Sequence, residues 1–346
     1  MSHSAFPQAG HLLHLSGVSA VRRRVAFWWG LALAAALVLA GLPSARFSST
    51  AGVPDWGTLA GDVARSGAGE PSQQADHAVS SAPPTPAAPV PVEAVPYPGT
   101  YLIHPLATLA PEAARYLDGR QGTVAVAVYD GLDGNRYGHQ SLVRLRSASI
   151  IKVAIMAALL DRVQRQGRSV SPQEHRLLSA MIQWSDNAAT TALLRRAGGP
   201  PAVQEYLRRI GLTHTQVNPS AWGYTLTTAS DMVRLVAQLY FQQILTPELC
   251  QYALDLMRGV TPAQRWGITG GLPASASVAL KNGWYPENDD GSNWRVHSIG
   301  AVEAGDRAYI IAVLTRYPQE LGMAYGQETI AGVAQRIYRA VRAQER

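Results

Sequence analysis

Only two lysines occur in this chain, and each lies beside residues that could do chemistry. The sequence holds 30 lysines and arginines together, of which 28 are arginine and two are lysine, Lys152 and Lys281. A lysine amine can lose its proton when it is buried, whereas a guanidinium effectively cannot. Both positions are therefore candidates for a titratable or compact cation.

The first lysine follows a serine at a spacing that suits nucleophilic catalysis. Ser149 and Lys152 lie three residues apart in SASIIKVAIM, where a helix is predicted to begin near Ser149. That spacing puts both side chains on one helix face. A lysine whose pKa is lowered by burial could take the serine proton. The helix N-terminus would add N–H groups and a positive field that suit an oxyanion.

Two further segments carry polar groups that could complete such a site. In WSDNAAT, the Ser185 hydroxyl could relay a proton to a leaving group, and the Asn187 amide could bind a substrate carbonyl. The alternative for this segment is a helix N-cap, because Ser, Asp and Asn all cap well. In ALKNGW, Lys281 on a predicted strand could bind a substrate carboxylate, and Gly283 would let a ligand approach the backbone.

The order of these segments carries more information than any one of them. SxxK, then SDN, then K-[TS]-G is the signature set of penicillin-recognising serine enzymes. Residues 99–346 resemble that superfamily, and GGLPASASVALKNG and TTASDM resemble segments of class A β-lactamases. The resemblance implies an acyl-enzyme serine hydrolase that acts on β-lactams or on the D-alanyl stem peptides of peptidoglycan.

The resemblance also implies catalytic roles. Ser149 would be the acylated nucleophile, Lys152 its base, and Ser185 the proton relay to the leaving nitrogen. The backbone N–H groups of Ser149 and Trp284 would form the oxyanion hole.

Substrate contacts are implied in the same way. Asn187 would bind the amide of the acyl side chain, and Lys281 and Asn282 would meet the substrate carboxylate. On the next strand, Arg295 and His297 share a face by alternation, so one or both could line the cleft. An exposed arginine at a strand end and a packed histidine are the alternative.

Three departures from the class A pattern stand out. Asn282 replaces a hydroxyl in the third motif, and the bulky Trp284 stands where a small residue is usual. The class A glutamate that activates the deacylating water has no match, because residues 212–228, LTHTQVNPSAWGYTLTT, hold no carboxylate. The acids between the second and third motifs are all predicted to be helical: Glu205, Asp231, Glu248 and Asp255.

The missing glutamate leaves several functions open. Acylation is expected to be intact and deacylation slow, as in a penicillin-binding protein or a D-alanyl-D-alanine carboxypeptidase. A non-catalytic module that binds peptidoglycan or senses β-lactams is the alternative from another class. Residues 222–224, WGY, could form the cleft floor or simply pack in the core. No cofactor or metal is expected, and the protein is expected to be a monomer.

The N-terminal third differs from the rest of the chain. Residues 1–24 end in VRRR and are predicted to be cytoplasmic, and residues 25–42 form an apolar run long enough to span a bilayer. This run is a signal peptide or a membrane anchor, so residues 43–346 are expected outside the cytoplasm. Residues 43–98 are rich in Ala, Pro and Ser, and are predicted to be a disordered linker. The formal charge of +6 comes without a basic run interleaved with aromatics, so no nucleic-acid partner is expected.

The periodicity of residues 99–346 predicts an α+β fold. A strand is predicted at 123–130, several helices follow from Ser149 onward, and three successive strands precede a helix at about 327–343. Ser171 and Glu174 form a predicted capping box. We therefore expect a three-layer αβα domain, in which an antiparallel sheet is flanked by helices and contains an inserted helical subdomain.

Overall fold

The computed structural model describes residues 102–287 and 292–344. The predicted cytoplasmic segment, the apolar run and the linker lie outside the described residues, so these three predictions stay untested. Among the described residues, no helix combines the length and the apolar character that a bilayer span requires.

A six-stranded sheet runs through the centre of the domain. Its strands are β1 (Ile103–Pro105), β2 (Thr123–Asp130), β3 (Arg136–His139), β6 (Ser277–Glu287), β7 (Asn293–Ala304) and β8 (Arg307–Pro318). They lie in the order β1-β3-β2-β8-β7-β6, and neighbours pair antiparallel, as predicted, except for a short parallel pairing of β1 with β3. A separate ladder pairs β4 (Leu145–Arg146) with β5 (Leu226–Thr227).

Helices cover both faces of this sheet. On one face lie α1 (Leu106–Leu109), α2 (Pro111–Asp118) and α9 (Gly322–Ala343). The other layer is made of α3 (Lys152–Arg165), α4 (Pro172–Gln183), α5 (Asn187–Arg196), α6 (Gly199–Arg209), α7 (Ala229–Tyr240) and α8 (Pro247–Arg258). All six lie between β3 and β6 in the sequence, so the prediction of an inserted helical subdomain is confirmed.

The alternation of side chains along β2 feeds two separate cores. Val124 and Val126 point to the layer of α9, whereas Ala125 and Ala127 point to the layer of α3. A strand buried on both faces reads as a continuous apolar run, as TVAVAVYD does. The predicted three-layer α+β fold is therefore confirmed.

The helix that carries the first lysine lies deep in the helical layer. Every residue of α3 from 152 to 160 is buried, because its sequence KVAIMAALL is apolar on all sides apart from the lysine. A 3₁₀ turn, Ala148–Ile151, leads into this helix. The predicted capping box of α4 is also confirmed, with Ser171 and Glu174 bonded reciprocally.

Candidate active site

Ser149 lies in the 3₁₀ turn at the N-terminal end of α3. Its side chain is partly exposed, and among the described residues no hydrogen bond engages its hydroxyl. The preceding residue, Ala148, has a φ of 48°. Such a conformation costs on the order of 1–3 kcal/mol for a non-glycine residue and is frequent at functional sites. The turn therefore holds a half-buried serine side chain on a strained, well-packed backbone.

Lys152 is fully buried one turn below the serine. Its Nζ donates to the Ser185 backbone oxygen at 2.6 Å, the Ser185 Oγ at 3.1 Å and the Asn187 Oδ1 at 2.9 Å. Burial lowers the pKa of this amine to about 7, although the charge of the exposed Asp186 raises it in part. A substantial fraction of the amine is therefore neutral near pH 7 and able to accept a proton.

The SDN segment sits between the two lysines. Ser185 has a φ of 60°, and its hydroxyl lies 3.1 Å from the Lys152 Nζ and 3.0 Å from the Lys281 Nζ. Asp186 is the N-cap of α5 and accepts a hydrogen bond from the Ala189 N–H. The helix-cap interpretation thus holds for the aspartate, while the serine hydroxyl bridges both amines.

Lys281 projects from β6 into the same cluster. The amine is fully buried, and it donates to the Ser185 Oγ at 3.0 Å and to the Asn282 backbone oxygen at 2.8 Å. Burial, together with the neighbouring charge of Lys152, lowers its pKa well below the usual range. Among the described residues, neither lysine forms an ion pair with a carboxylate, and both amines instead donate to uncharged oxygens.

The glycine of the third motif brings β6 against the nucleophile turn. A Cβ built on Gly283 would lie 2.6 Å from the backbone nitrogen of Ser149 and 2.8 Å from that of Ile150. Real Cβ atoms essentially never come so close to backbone. Gly283 therefore allows the turn itself to approach the strand, which brings Ser149 beside Trp284, the two residues predicted to form the oxyanion hole.

Asn282 is turned into the protein at this point. Its Nδ2 donates to the backbone oxygens of Gln264 at 2.7 Å and Trp266 at 3.2 Å, and the side chain has no exposed area. The Trp284 ring packs edge-on against Trp266, with their centroids 5.6 Å apart. The predicted contact of Asn282 with a substrate carboxylate stays a prediction.

Gln264 links the second motif to the third, and sequence reasoning missed it. Its Nε2 donates to the Trp184 backbone oxygen at 2.9 Å, and its Oε1 lies 3.5 Å from the Lys281 Nζ. The Trp184 side chain, next to Ser185, is 67% exposed. No motif marks this glutamine, because its partners are backbone groups and a lysine distant in sequence.

Arg295 and His297 do not reach the cleft surface in this structure. Arg295 is 2% exposed and forms an ion pair with the buried Glu287. The His297 Nε2 donates to the Arg146 backbone oxygen at 2.8 Å, and its Nδ1 accepts from the Thr315 N–H at 3.0 Å. Burial lowers the pKa of His297 to about 4, so the ring is neutral near pH 7. The histidine is packed, as the alternative interpretation had it, but the arginine is buried rather than exposed.

A cluster of buried charges joins the end of β6 to the segment before the nucleophile. Glu287 pairs with Arg146 as well as Arg295, and its Oε1 accepts a hydrogen bond from the Tyr285 hydroxyl at 3.2 Å. The Arg146 guanidinium stacks over the Tyr224 ring at 4.6 Å. This cluster is a second structural tie between β6 and the turn that holds the serine.

Segment 212–228 lines the cleft beside Lys152 with an aromatic ring and no carboxylate. The Trp222 ring centroid lies 4.9 Å from the Lys152 Nζ. The four acids between the second and third motifs are all helical, as predicted. Of these, Glu205, Glu248 and Asp255 are exposed. Asp231 is buried and accepts from the His214 N–H and the Thr215 hydroxyl.

Among the described residues, no cluster of His, Cys, Asp and Glu could hold a metal ion. The site instead contains the Ser149 hydroxyl, the Lys152 amine with a pKa of about 7, and the Ser185 hydroxyl, which lies within hydrogen-bond distance of two amines. A sheet flanked by helices with this cleft defines the β-lactamase-like serine hydrolases.

A sequence model of the Beta-lactamase enzyme family matches residues 108–175 and 166–341. The chain therefore belongs to the Beta-lactamase enzyme family. Solved structures agree in fold: the TLA-1 extended-spectrum β-lactamase has a TM-score of 0.61 at 21% identity, covering 68% of this chain and 98% of its own. PBP-A has a TM-score of 0.61 at 22% identity, covering 71% of this chain and all of its own (100%).

Curated relatives point to the same family. "Putative lipoprotein LppW" of Mycobacterium tuberculosis H37Rv is 29% identical over 208 residues, which is 57% of this chain and 64% of that protein. The chain thus spans less than two thirds of the length of that relative. A β-lactamase of Bacteroides uniformis is 25% identical over 271 residues, covering 65% of this chain and 88% of its own.

Proposed function

We propose that this protein is an acyl-enzyme serine hydrolase whose nucleophile is Ser149. The neutral amine of Lys152 takes the proton of the Ser149 hydroxyl as Oγ attacks the substrate carbonyl carbon. The bond from that carbon to the leaving nitrogen then breaks, and the nitrogen receives a proton through the Ser185 hydroxyl. Water later cleaves the acyl ester and restores the serine.

One observation carries this proposal. The Ser185 hydroxyl lies within hydrogen-bond distance of two buried amines, one on α3 and one on β6. Burying two unpaired amines is costly unless the structure gains something from them, and perturbed lysines cluster at functional sites. A hydroxyl held by both amines is positioned to pass a proton between the base and a leaving group.

Membership of the family supports a proposal for the substrate class. β-Lactams and D-alanyl stem peptides are the proposed acyl donors, with Asn187 and Lys281 as binding groups. Because segment 212–228 supplies no carboxylate of the class A kind, release of the acyl group is proposed to be slow. The protein would then behave toward β-lactams as a penicillin-binding protein rather than as an efficient β-lactamase.

An extracytoplasmic location is proposed with this function. The basic residues before an apolar run at 25–42 support export or anchoring. The name of LppW describes a lipoprotein, and such proteins are exported. No cysteine follows the apolar run closely in this chain, so lipid attachment is not proposed here.

Covalent labelling tests the nucleophile directly. Incubation with benzylpenicillin is expected to add the mass of one penicilloyl group to the purified protein, and peptide mapping is expected to locate it on Ser149. Ser149→Ala is expected to remove the adduct, and Ser147→Ala, two residues away, serves as the matched control that keeps it. An unlabelled wild-type protein, or an adduct that survives in Ser149→Ala, would disprove the proposal.

A further inference from the structure

The third motif carries an amide where the related motifs carry a hydroxyl, and the structure shows what that amide does. Both hydrogen-bond acceptors of the Asn282 Nδ2 are backbone oxygens of the protein, those of Gln264 and Trp266. A carboxamide nitrogen has two hydrogens to donate, so both are used within the protein.

The orientation of this amide is fixed by its surroundings. Two carbonyl oxygens face the nitrogen, and exchanging the nitrogen and oxygen positions would bring three oxygens together without a proton between them. The Asn282 Oδ1 is buried and has no hydrogen-bond partner among the described residues. The side chain therefore offers a carboxylate no donor, and the only atom left over is an acceptor, which a carboxylate avoids.

The lysine of the motif is also occupied. The Lys281 Nζ has three acceptors around it, namely the Ser185 Oγ, the Asn282 backbone oxygen and, at 3.5 Å, the Gln264 Oε1. Burial and the charge of Lys152 lower the pKa of the Lys281 amine, so the amine is less often charged and attracts a carboxylate less strongly. For the Lys281 amine to bind a free carboxylate, one of these three contacts would have to break.

We propose that the site accepts acyl donors whose leaving-group end is uncharged, such as an ester, a carboxamide or a peptide that continues beyond the scissile bond. This inference rests on the proposed function and deepens it, because it concerns which substrates acylate Ser149. A threonine or serine at position 282 is too short to satisfy both backbone oxygens, and its hydroxyl would be a donor for a carboxylate.

A matched pair of β-lactams tests the inference. Benzylpenicillin and its methyl ester share the acylating ring and differ only in the carboxylate. The second-order rate constant for acylation is measured for each by intact-protein mass spectrometry. In the wild type, the rate constant for the acid is expected to exceed that for the ester by no more than about threefold, which corresponds to less than about 1 kcal/mol of barrier.

Asn282→Thr is expected to raise the acid-to-ester ratio by about tenfold or more, because hydrogen bonds to charged groups are the stronger kind. Asn282→Ser is the second variant, in case the threonine methyl disturbs packing. Since each ratio is taken within one preparation, a partly misfolded fraction cancels out.

The outcomes separate the two proposals. A wild-type ratio above about threefold, or a ratio that both variants leave unchanged, overturns the inference but leaves Ser149 as the nucleophile. If neither compound acylates Ser149 in the wild type, the proposed function itself fails, and the inference fails with it.

Discussion

The two sides of Lys152 differ in what they contribute to chemistry. Toward β6 lie Ser185 and Lys281, which give the amine a hydroxyl within reach and a second cation beyond it. Toward segment 212–228 lies the Trp222 ring, 4.9 Å from the amine. A cation over an aromatic face is stabilised, but an indole cannot take a proton from water. The first side carries the groups that are proposed to acylate Ser149, and the second holds no carboxylate that would activate water.

In the proposed mechanism, acylation and deacylation therefore depend on different sides of one cleft. Acylation in this mechanism depends on the Lys152 amine, whose pKa is lowered by burial. Deacylation by the class A route depends on a carboxylate that this segment does not contain.

Replacing Lys152 by arginine is expected to give the largest effect. Arginine keeps the positive charge but cannot become neutral, so acylation by benzylpenicillin should fall by roughly 10²–10⁴-fold, the usual value of general-base help. A mass-spectrometric time course measures it. Lys281→Arg is the matched control and should lose less, because Lys281 is not proposed to take the serine proton. Acylation of Lys152→Arg within about tenfold of wild type would mean that charge alone is needed.

Turnover of a chromogenic cephalosporin should show that deacylation is slow. A stopped-flow trace is expected to show a burst of one equivalent per active serine, followed by a slow phase. Without a carboxylate, the release step should lack the roughly 10²–10⁴-fold that general-base help provides. Turnover without a burst, at rates on the order of tens per second as in ordinary enzymes, would show that another group activates the water.

The smallest effect is expected from removing the charge of Asp186, which lies near Lys152. Because the neutral amine of Lys152 is the proposed base, the acylation rate should rise with pH through about 7 and level off above it. Asp186 holds the pKa of Lys152 up, so Asp186→Asn should move the midpoint of this profile to lower pH. Asparagine caps helices as well as aspartate does, so α5 should persist, which circular dichroism can check. A midpoint that stays in place or moves upward would contradict the assignment of Lys152 as the titrating group.

Local patterns predicted the parts of the site that neighbours in sequence define. The capping box at Ser171, the strands β6 to β8 and the positions of both lysines follow from residues only a few places apart. Such features depend on hydrogen bonds and alternation within one element, and they hold whatever the tertiary fold does.

Features that depend on distant segments could not be predicted. The Arg146–Glu287 ion pair joins residues 141 positions apart, and nothing in either segment marks its partner. His297 and Arg295 share a face of β7, as alternation requires, but β7 lies between β6 and β8 with both faces covered. Their burial follows from that strand order, which the sequence does not specify. The inward turn of Asn282 likewise depends on the backbone oxygens of residues 264 and 266.

The placement of both lysines has a consequence for the surface of the domain. Lys152 and Lys281 have no exposed side-chain area, and the chain has no other lysine. The folded protein therefore presents its positive charge to solvent through guanidinium groups and offers no lysine amine to an amine-reactive reagent. Cell-wall polymers or cross-linkers that attach to proteins through lysine would find no attachment point on it. Modification of either lysine by such a reagent would instead report that the cleft had opened.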